Sequence, residues 1–505
     1  MSRSSVSRKN SRYEFPSPPH FTDALRREKV QSALPDIHHL LEQWAVDNHV
    51  PGLAVGLVMD NALVHEFFYG VQNVETNAPV THETRFRIAS MSKSFVAMAI
   101  LKLRDEKRLR LDDRAAKYIP ELKALVYPTG DSPDITLRHL LTMSPGFPED
   151  NPWGDRQMAI TDREFSKWLR AGIPFSNAPN VTFEYSNYAY AILARVVTRV
   201  SGSAFQKYIT KNILFPLGMT ATTWNKKRVP QEHFALGYRW EDETFKPEPI
   251  LADGAFAGMA GLFTTIPDFA RYMNFLLDAF PPREDMETGP VIRATAREMQ
   301  QLARFEELVE RKTAQDATWH AASGYGFGLA IWHDDFLGYG VSHGGGLPGY
   351  GSYFYLLSNH GIGIVALTNK TYSGIGRTFP ELWVRLAKTG GLHPRRAVPA
   401  RILQEICHVV QRWLEGGDDA EFVSAAADNF FLDSDLQHRY AALEKIRAEL
   451  GAFQHVGEIV ALNALRAKWT IECERGALDV MLTLAPTMPP KLQMLNLTPR
   501  VSNEK

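Results

Sequence analysis

The sequence predicts a multidomain α+β protein. In the first part of the chain, strand-like stretches stand on both sides of a long helical region, and in the last part predicted helices are followed by a run of strands. Separate runs of helices and strands are typical of α+β domains. The length of 505 residues allows two or three domains, and 45% hydrophobic with 22% charged residues is ordinary for a globular protein.

The first predicted elements are a helix and a hairpin. Apolar residues recur at helical spacing over Pro35–Asn48, which predicts a helix. Leu53–Met59 is a continuous apolar run typical of a buried strand. Asp60-Asn61 then turns the chain into a second strand, "ALVHEFFYG".

Helices dominate the middle of the first domain. One helix is predicted from Ser90 to about Glu106, and residues 111–230 are mostly helical. The stretch "TIPD" at Thr265 combines a Thr cap, an early proline and an acidic residue, so it predicts another helix start. Strands resume with "YGFGLAIW", "YGVSHGG" and the hairpin "GSYFYLLSNHGIGIVALTN", and a helix over Phe379–Ala387 closes the domain.

Composition sets the domain boundaries. Residues 1–30 are rich in Ser, Arg and Pro and are expected to form a disordered tail. The first domain then spans 31–387, and the glycines, prolines and basic residues of 388–400 indicate a linker. Residues 401–505 form the second α+β domain, in which two or three helices precede four strands.

Charge and motif content exclude several classes of protein. The formal net charge of -1 argues against a nucleic-acid binder. No apolar run is long enough to span a membrane and no secretory signal is visible, so a cytoplasmic location is expected. The two cysteines, Cys407 and Cys473, read as separate buried thiols. The histidines lack metal-ligand spacing, and no phosphate-binding or dinucleotide-binding motif is present, so neither a metal nor a cofactor is predicted.

A G-x-S-x-G motif at Gly340 to Gly344 suggests a nucleophile elbow with Ser342 as the nucleophile. Such an elbow needs a helix directly after the serine. Here Ser342 is followed by "HGGGLPG" and then an aromatic strand. The elbow is therefore rejected.

Ser90-Met91-Ser92-Lys93 offers a better nucleophile, an S-x-x-K at a predicted strand-to-helix boundary. Residues three apart lie on one helix face, so Lys93 can reach the Ser90 hydroxyl. A lysine activates a serine only if burial lowers its pKa, and the apolar residues after Lys93 favour this. The simple alternative is a capping serine beside a surface lysine.

A second polar pair lies in "FEYSNYAYAILARVV". Tyr185 is placed to share the proton transfer, and Asn187 to hydrogen-bond Lys93 and a substrate amide. The alternative is that both residues cap and pack a helix start, as Tyr and Asn often do there.

These motifs, in this order, resemble the serine β-lactamase and penicillin-binding-protein superfamily. The class C-like branch, with its esterases and D-aminopeptidases, is the most similar. "RFRIASMSKSFVAMAIL", "ITLRHLLTMSPG", "YSNYAYAILARVV" and "GMAGLFTTIPDFARYM" also read like family sequence, over residues 35–385. The resemblance implies a β-lactamase/transpeptidase-like antiparallel sheet flanked by helices, with a helical subdomain. It also implies a catalytic Ser90, Lys93 and Tyr185.

The family's third motif has two candidates, Lys388-Thr389-Gly390 and His343-Gly344-Gly345. The first follows a predicted helix and runs into the linker, which favours a helix C-terminus. The second lies in a strand before a hairpin, as in the family, so His343 is preferred. The resemblance then assigns substrate binding to Asn187, His343 and Gly345, and the oxyanion hole to the N–H groups of Ser90 and Gly346.

Two departures bear on the substrate. Met143 and Pro145 stand where the family usually has histidine and serine, and the loop "GFPEDNPWGDRQM" that follows should wall one side of the pocket. A histidine in place of the third-motif lysine removes a permanent cation. Neutral His343 suits esters or amides that lack an obligatory carboxylate.

The expected function is a serine hydrolase acting on a small ester or amide through a Ser90 acyl-enzyme, most similar to an esterase. A D-amino-acid peptidase, an amidase and a β-lactamase stay open as alternatives. An inactive binding or scaffold homologue stays open as an alternative of another class. The C-terminal domain is similar to a small NTF2-like cone, and its role as lid, homo-oligomer contact or ligand-binding unit is left open.

Overall fold

The computed structural model describes residues 14–313 and 317–502. The chain divides into two compact units. The larger is Asp23–Pro394, and the smaller joins the segment up to Thr22 with Arg395–Lys505. None of the helices in the described residues has the length and apolar composition that a membrane crossing requires.

The larger unit is built on one antiparallel sheet. The strands of the larger unit, in the described residues, are β1 Gly52–Met59, β2 Ala62–Asn73, β3 Ala78–Pro79, β4 Phe86–Arg87, β5 Tyr238–Glu241, β6 Thr244–Pro247, β7 Phe263–Thr264, β8 Arg304–Lys312, β9 Thr318–Tyr325, β10 Ala330–Asp334, β11 Gly338–Leu347, β12 Tyr350–Leu357 and β13 Ile362–Thr368. The main sheet has the order β3-β2-β1-β13-β12-β11-β10-β9-β8, and β4 with β7 and β5 with β6 form two small ribbons. The first and last strands of the unit, β1 and β13, are therefore neighbours inside the sheet.

Helices cover both faces of this sheet. Those of the larger unit are α1 Arg26–Ser32, α2 Leu34–Asp47, α3 Lys93–Asp105, α4 Leu137–Leu141, α5 Asp162–Ala171, α6 Asn187–Ser201, α7 Phe205–Ile209, α8 Ile266–Asp278, α9 Arg293–Met299 and α10 Phe379–Lys388. Helices α2 and α10 pack in one apolar cluster, and α3, α6 and α8 in another. Strand β1 alternates between them: Ala54 and Val58 belong to the α3 side, and Val55 and Leu57 to the α2 side.

The structure corrects the assignment of residues 26–30 to a disordered tail, because they begin helix α1. Arg26 is only 5% exposed. Its guanidinium lies 2.5 Å from the Asp60 carboxylate and also donates to the His360 carbonyl. These partners are distant in the chain, so the tail-like composition hides them. Residues 1–13 lie outside the described residues.

The smaller unit is α+β. Its helices are α11 Arg401–Leu414, α12 Asp419–Ala425, α13 Phe430–Asp433 and α14 Leu436–Leu450, and its strands are β14 Phe453–Val456, β15 Val460–Asn463, β16 Arg466–Cys473, β17 Gly476–Leu484 and β18 Leu492–Val501. The sheet has the order β14-β16-β17-β18, and β15 also pairs with β16. The core includes Trp413 stacked on Phe422 with ring centroids 4.2 Å apart. Cys407 and Cys473 are both free and buried.

Candidate active site

The Ser90 side chain is presented by a short 3-10 turn. The turn Ala89–Ser92 leads directly into α3, which begins at Lys93. Ala89 has φ +49°. A left-handed conformation costs an ordinary residue roughly 1–2 kcal/mol. The turn is held on its other side by Ser352, whose hydroxyl donates to the Ile88 carbonyl at 2.9 Å.

Lys93 is fully buried and touches three oxygens. Its Nζ lies 2.9 Å from Ser90 Oγ, 2.6 Å from Asn187 Oδ1 and 3.0 Å from the Met259 carbonyl oxygen. The Asn187 and Met259 oxygens can only accept, whereas the Ser90 hydroxyl can also donate. A neutral amine has two N–H groups and one lone pair. It can therefore donate to the two carbonyl oxygens and accept from Ser90.

The electrostatic environment favours that neutral form. Burial lowers the pKa of Lys93 from 10.5 to about 7, and the carboxylates of Asp155 and Asp150 oppose the shift. The Tyr185 ring lies 4.8 Å from Nζ. A substantial fraction of Lys93 is therefore unprotonated at neutral pH.

Asn187 is the first residue of α6, which Ser186 caps through its side chain. Both ends of its amide are engaged inside the protein: Oδ1 accepts from Lys93, and Nδ2 donates to Asn151 Oδ1 at 2.7 Å. The side chain is 0% exposed and does not line the cavity described below. The structure thus places Asn187 behind Lys93, away from the substrate-binding position expected from the sequence.

Tyr185 faces the cavity beside the nucleophile. Burial raises its pKa well above 10, although a hydrogen bond with the Ser90 side chain opposes the shift. The phenol is therefore protonated at neutral pH. The hydroxyl can donate a proton or pass one on at the position of Ser90.

Met143 helps to shape the turn that carries Tyr185. It has φ +54°, and its sulfur accepts the Ser186 N–H at 3.3 Å. The Met143 carbonyl accepts the Glu184 N–H at 2.8 Å. Met143, which stands where the family usually has histidine, thus helps to hold the Tyr185–Asn187 turn in place.

His343 lies on β11 and is neutral. Burial lowers its pKa to about 3, and the nearby charge of Lys93 adds to the effect. Nε2 lies 2.9 Å from the Tyr325 hydroxyl, and Nδ1 lies 2.6 Å from the Gly344 carbonyl oxygen. Because a carbonyl can only accept, Nδ1 carries the proton and Nε2 accepts from Tyr325. Both ring nitrogens are therefore engaged by protein groups, and the residue lines the cavity described below.

The glycines after His343 have different surroundings. A Cβ at Gly345 would lie 2.2 Å from Ser352 Oγ and 2.4 Å from the Ile88 carbonyl oxygen, so packing under the nucleophile turn requires glycine there. A Cβ at Gly346 would lie 2.7 Å from the Tyr372 ring. Gly344 and Gly346 line the cavity and Gly345 does not. The structure therefore separates Gly345 from its expected contact with substrate.

The cavity in front of Ser90 has a volume of about 610 Å³. It is lined by Ser90, Asn151, Pro152, Asp155, Phe183, Tyr185, Glu306, Tyr325, Ala330, His343, Gly344, Gly346 and Tyr372. The loop expected to wall one side contributes Asn151, Pro152 and Asp155. Glu306, Tyr325 and Tyr372 were not predicted, and Asp155 was predicted only as part of that loop. Among the described residues, no group of three His, Cys, Asp or Glu side chains is arranged to hold a metal ion.

The two rejected motifs lie elsewhere. Ser342 is 1% exposed, and its hydroxyl accepts from Trp332 Nε1 at 2.8 Å. Lys388 is the last residue of α10, followed by Thr389, whose hydroxyl donates to the Leu386 carbonyl at 2.7 Å. Neither lines the Ser90 cavity.

Comparison with known proteins assigns the chain to a family. A family model described as Beta-lactamase matches residues 29–386. The chain belongs to the beta-lactamase family. Membership implies serine-hydrolase-type activity and agrees with the large antiparallel sheet flanked by helices.

Relatives of this beta-lactamase family member are distant. Protein flp of Staphylococcus aureus strain N315 is 28% identical over 379 residues, 73% of this chain and 69% of that protein. Beta-lactamase-like protein 2 of Dictyostelium discoideum is 28% identical over 51% of this chain and 48% of that protein. The solved octameric penicillin-binding protein homologue from Pyrococcus abyssi superposes with a TM-score of 0.57 at 20% identity, covering 92% of this chain and 100% of that one. This last likeness shows a β-lactamase/transpeptidase-like fold.

Proposed function

We propose that the protein is a serine hydrolase that cleaves a small ester through an acyl-enzyme on Ser90. The observation that carries the proposal is the set of partners of Lys93. Two of its three neighbours are carbonyl oxygens that can only accept, and the third is the Ser90 hydroxyl. In its neutral form the amine has one lone pair left, and the Ser90 hydroxyl is the neighbour that can donate to it.

In the first half-reaction, Lys93 takes the proton as Ser90 Oγ forms a bond to the substrate carbonyl carbon. The tetrahedral intermediate collapses when the bond to the alcohol breaks, and Lys93, through the Tyr185 hydroxyl, returns the proton to the leaving oxygen. In the second half, water attacks the acyl carbon and gives its proton to Lys93. The bond between Ser90 Oγ and the acyl carbon then breaks, Oγ takes that proton back from Lys93, and the free acid is released. Tyr185 is suited to the relay because burial keeps its phenol protonated.

The end of β11 supports an oxyanion hole. Strand β10 pairs with β11 only as far as Ala330 opposite Ser342, whereas β12 pairs as far as Leu347. Beyond Ser342, therefore, no described strand pairs with β11 on the β10 side. Backbone N–H groups alternate between the two sides of a strand, and Gly346 has the same parity as Ser342. We infer that the Gly346 N–H joins the Ser90 N–H at the carbonyl oxygen, where such donors are worth roughly a hundredfold to a thousandfold each in rate.

The charges around the cavity favour an ester without a carboxylate. Among the described residues, those that line it include Asp155 and Glu306 but neither Lys nor Arg. The third-motif position holds the neutral His343. A β-lactam carboxylate would meet like charge, so β-lactamase activity ranks lower. A D-aminoacyl amide carries an ammonium group that the two carboxylates could bind, so D-amino-acid peptidase activity is the second candidate.

The test is labelling and turnover of purified protein. We expect a fluorophosphonate probe to modify Ser90 and p-nitrophenyl acetate to be hydrolysed, with both lost in Ser90→Ala. Ser342→Ala is the matched control, since its hydroxyl is buried against Trp332 and lies outside the cavity. Nitrocefin and a D-alanyl p-nitroanilide, compared with the ester, rank the alternatives.

An unlabelled Ser90 in folded protein, together with no turnover of any of these substrates, would favour the non-catalytic scaffold. Equal turnover in Ser90→Ala and wild type would move the nucleophile to another residue. The NTF2-like character of the smaller unit and a homo-oligomeric state stay predictions, and sedimentation velocity measures the latter.

A further inference from the structure

One side of the Ser90 cavity is closed by a bridge between two loops. Tyr372 follows β13, and Asp155 lies on a short turn, Gly154–Arg156, between α4 and α5. The Tyr372 hydroxyl donates to Asp155 Oδ2 at 2.9 Å across a sequence separation of 217 residues. Both side chains line the cavity.

The Asp155 end of the bridge is buried. The residue is 3% exposed, and its Oδ1 is buried without a hydrogen-bond partner among the described residues. Burying a carboxylate is costly unless it is hydrogen-bonded. The bond from Tyr372 therefore stabilises the buried Asp155 carboxylate and also holds the Tyr372 hydroxyl. Loss of either partner should release the other.

The Tyr372 end is held in an unfavourable backbone conformation. Its φ is +46°, a region that bulky residues rarely adopt, and its side chain is 43% exposed. Such strain costs roughly 1–3 kcal/mol and persists only where surrounding contacts impose it. Here the Tyr372 N–H donates to the Tyr350 carbonyl at 3.2 Å, and the hydroxyl is held by Asp155.

The ring of Tyr372 lies directly against Gly346. A Cβ built on that glycine would be 2.7 Å from the ring and within 3.3 Å of a second ring atom. Gly346 is the residue to which we assign an oxyanion N–H. A substrate carbonyl held at this N–H would therefore place one of its substituents beside the Tyr372 ring.

We propose that the Tyr372–Asp155 bridge is a specificity-determining wall, which restricts the Ser90 site to substrates with a small group on the Gly346 side. The inference rests on the proposed hydrolase function, because the wall is defined relative to a carbonyl held at Ser90 and Gly346. The substrate class it selects is esters of short, unbranched groups. Bulky esters are excluded by contact with the ring rather than by a weaker nucleophile.

The test compares two ester series, one in which the acyl chain lengthens from acetate to octanoate and one in which the alcohol grows from methyl to naphthyl. We expect Tyr372→Gly, which removes the ring and relieves the positive φ, to raise kcat/KM for the large member relative to the small one. The rise should be about tenfold or more in at least one series, since a single methylene that does not fit a pocket costs roughly 10- to 200-fold. Lys107→Gly is the matched control: it relieves another positive φ, +61°, outside the cavity.

Substitutions of Asp155 separate the bridge from its charge. Asp155→Asn keeps an acceptor for the Tyr372 hydroxyl, so the wild-type size preference should remain. Asp155→Ala removes the acceptor, and Tyr372→Phe removes the donor but keeps the ring. Both should relax the preference in the same direction, towards larger esters. Circular dichroism of each variant confirms that it is folded.

The outcomes distinguish the two proposals. If wild type labels at Ser90 and turns over short esters but Tyr372→Gly leaves both size ratios unchanged, the wall is overturned and the hydrolase function stands. If wild type neither labels nor turns over any ester, the function fails and the wall fails with it. If the ratios change equally in Lys107→Gly, backbone strain in general is responsible and the wall is overturned.

Discussion

Two of the cavities in the larger unit have nearly equal volumes but differ in chemistry. The first, of about 610 Å³, holds Ser90, Tyr185 and His343. The second, of about 580 Å³, is lined by Ala317, Thr318, Trp319, Asp335, Phe336, Val384, Ala387 and Lys388. Each contains one candidate for the third motif, His343 in the first and Lys388 in the second. Neither the cavity volume nor a match to the third motif therefore shows which cavity is the active site.

What separates the two cavities is the convergence of buried polar atoms. Around Ser90, burial lowers the pKa of Lys93 to about 7 and that of His343 to about 3, and raises that of Tyr185. Lys388, by contrast, is an exposed residue at the end of α10, and Gly390 has φ +68° as a helix-terminating glycine. Several groups with shifted pKa values in one cleft indicate a functional site, whereas a match to a three-residue motif alone does not.

The largest effect is expected at the general base. Lys93→Ala should lower kcat/KM for p-nitrophenyl acetate by about a hundredfold to ten-thousandfold, the usual contribution of a positioned base. Lys93→Arg should be equally slow because its guanidinium stays protonated. Lys102→Ala, on the same helix but paired with Glu106 and outside the cavity, is the control and should keep full activity. A fully active Lys93→Ala would remove the distinction between the cavities.

Replacement of His343 should have the next largest effect. His343→Ala leaves the Tyr325 hydroxyl without its acceptor, and an unsatisfied buried donor costs roughly 1–3 kcal/mol, or about tenfold to a hundredfold in kcat/KM if it acts on the transition state. His343→Gln restores an acceptor and should recover part of the rate. If His343→Gln is folded but does not recover activity, the imidazole instead contacts the substrate directly.

The pH profile gives a smaller but directional test. Because Lys93 must be neutral to act as base, kcat/KM should rise as pH increases through about 7. Asp155 opposes the lowering of the Lys93 pKa, so Asp155→Asn should move the midpoint to lower pH. His343, with a pKa near 3, does not titrate in this range. A midpoint that stays in place or moves to higher pH contradicts the assignment of Lys93 as base.

The smallest effect is expected in the second cavity. Lys388→Ala should leave kcat/KM, its pH midpoint and Ser90 labelling unchanged, because the residue lies outside the Ser90 cavity. Parallel measurement with His343→Ala makes the contrast quantitative. A loss of activity in Lys388→Ala comparable to that in His343→Ala would reverse the choice of third motif.

The sequence predicted those parts of the site that depend on local spacing. Ser90 and Lys93 are three residues apart across a turn and a helix start, so their contact follows from helical geometry. Their family context also led to Tyr185, Asn187 and His343. The sequence could not show that both ends of the Asn187 amide and both nitrogens of His343 are used internally, because their partners Asn151 and Tyr325 come from other segments.

The missed features share a dependence on distant partners. The Tyr372–Asp155 bond joins residues 217 positions apart, and the residues next to Tyr372 in the sequence do not indicate its positive φ.

Strand β8, "RFEELVERK", was missed for another reason. It is largely exposed at the edge of the sheet, so it lacks the alternation of apolar and polar residues that identifies a strand. Strands β1 and β13, in contrast, are buried throughout and were predicted.

The pairing of β1 with β13 has a consequence for how the protein is made. A ribosome releases the N-terminal strand first, yet Leu53 is paired with Thr368, close to the end of the same unit. Every residue of β1 is buried in the finished sheet. Until β13 has been synthesised, however, one edge of β1 is unpaired in the nascent chain. Pairing over such a distance is slow and exposes the chain to aggregation. We therefore expect synthesis of active protein to depend on chaperone capacity, and chains released before Thr368 to carry Ser90 without any activity.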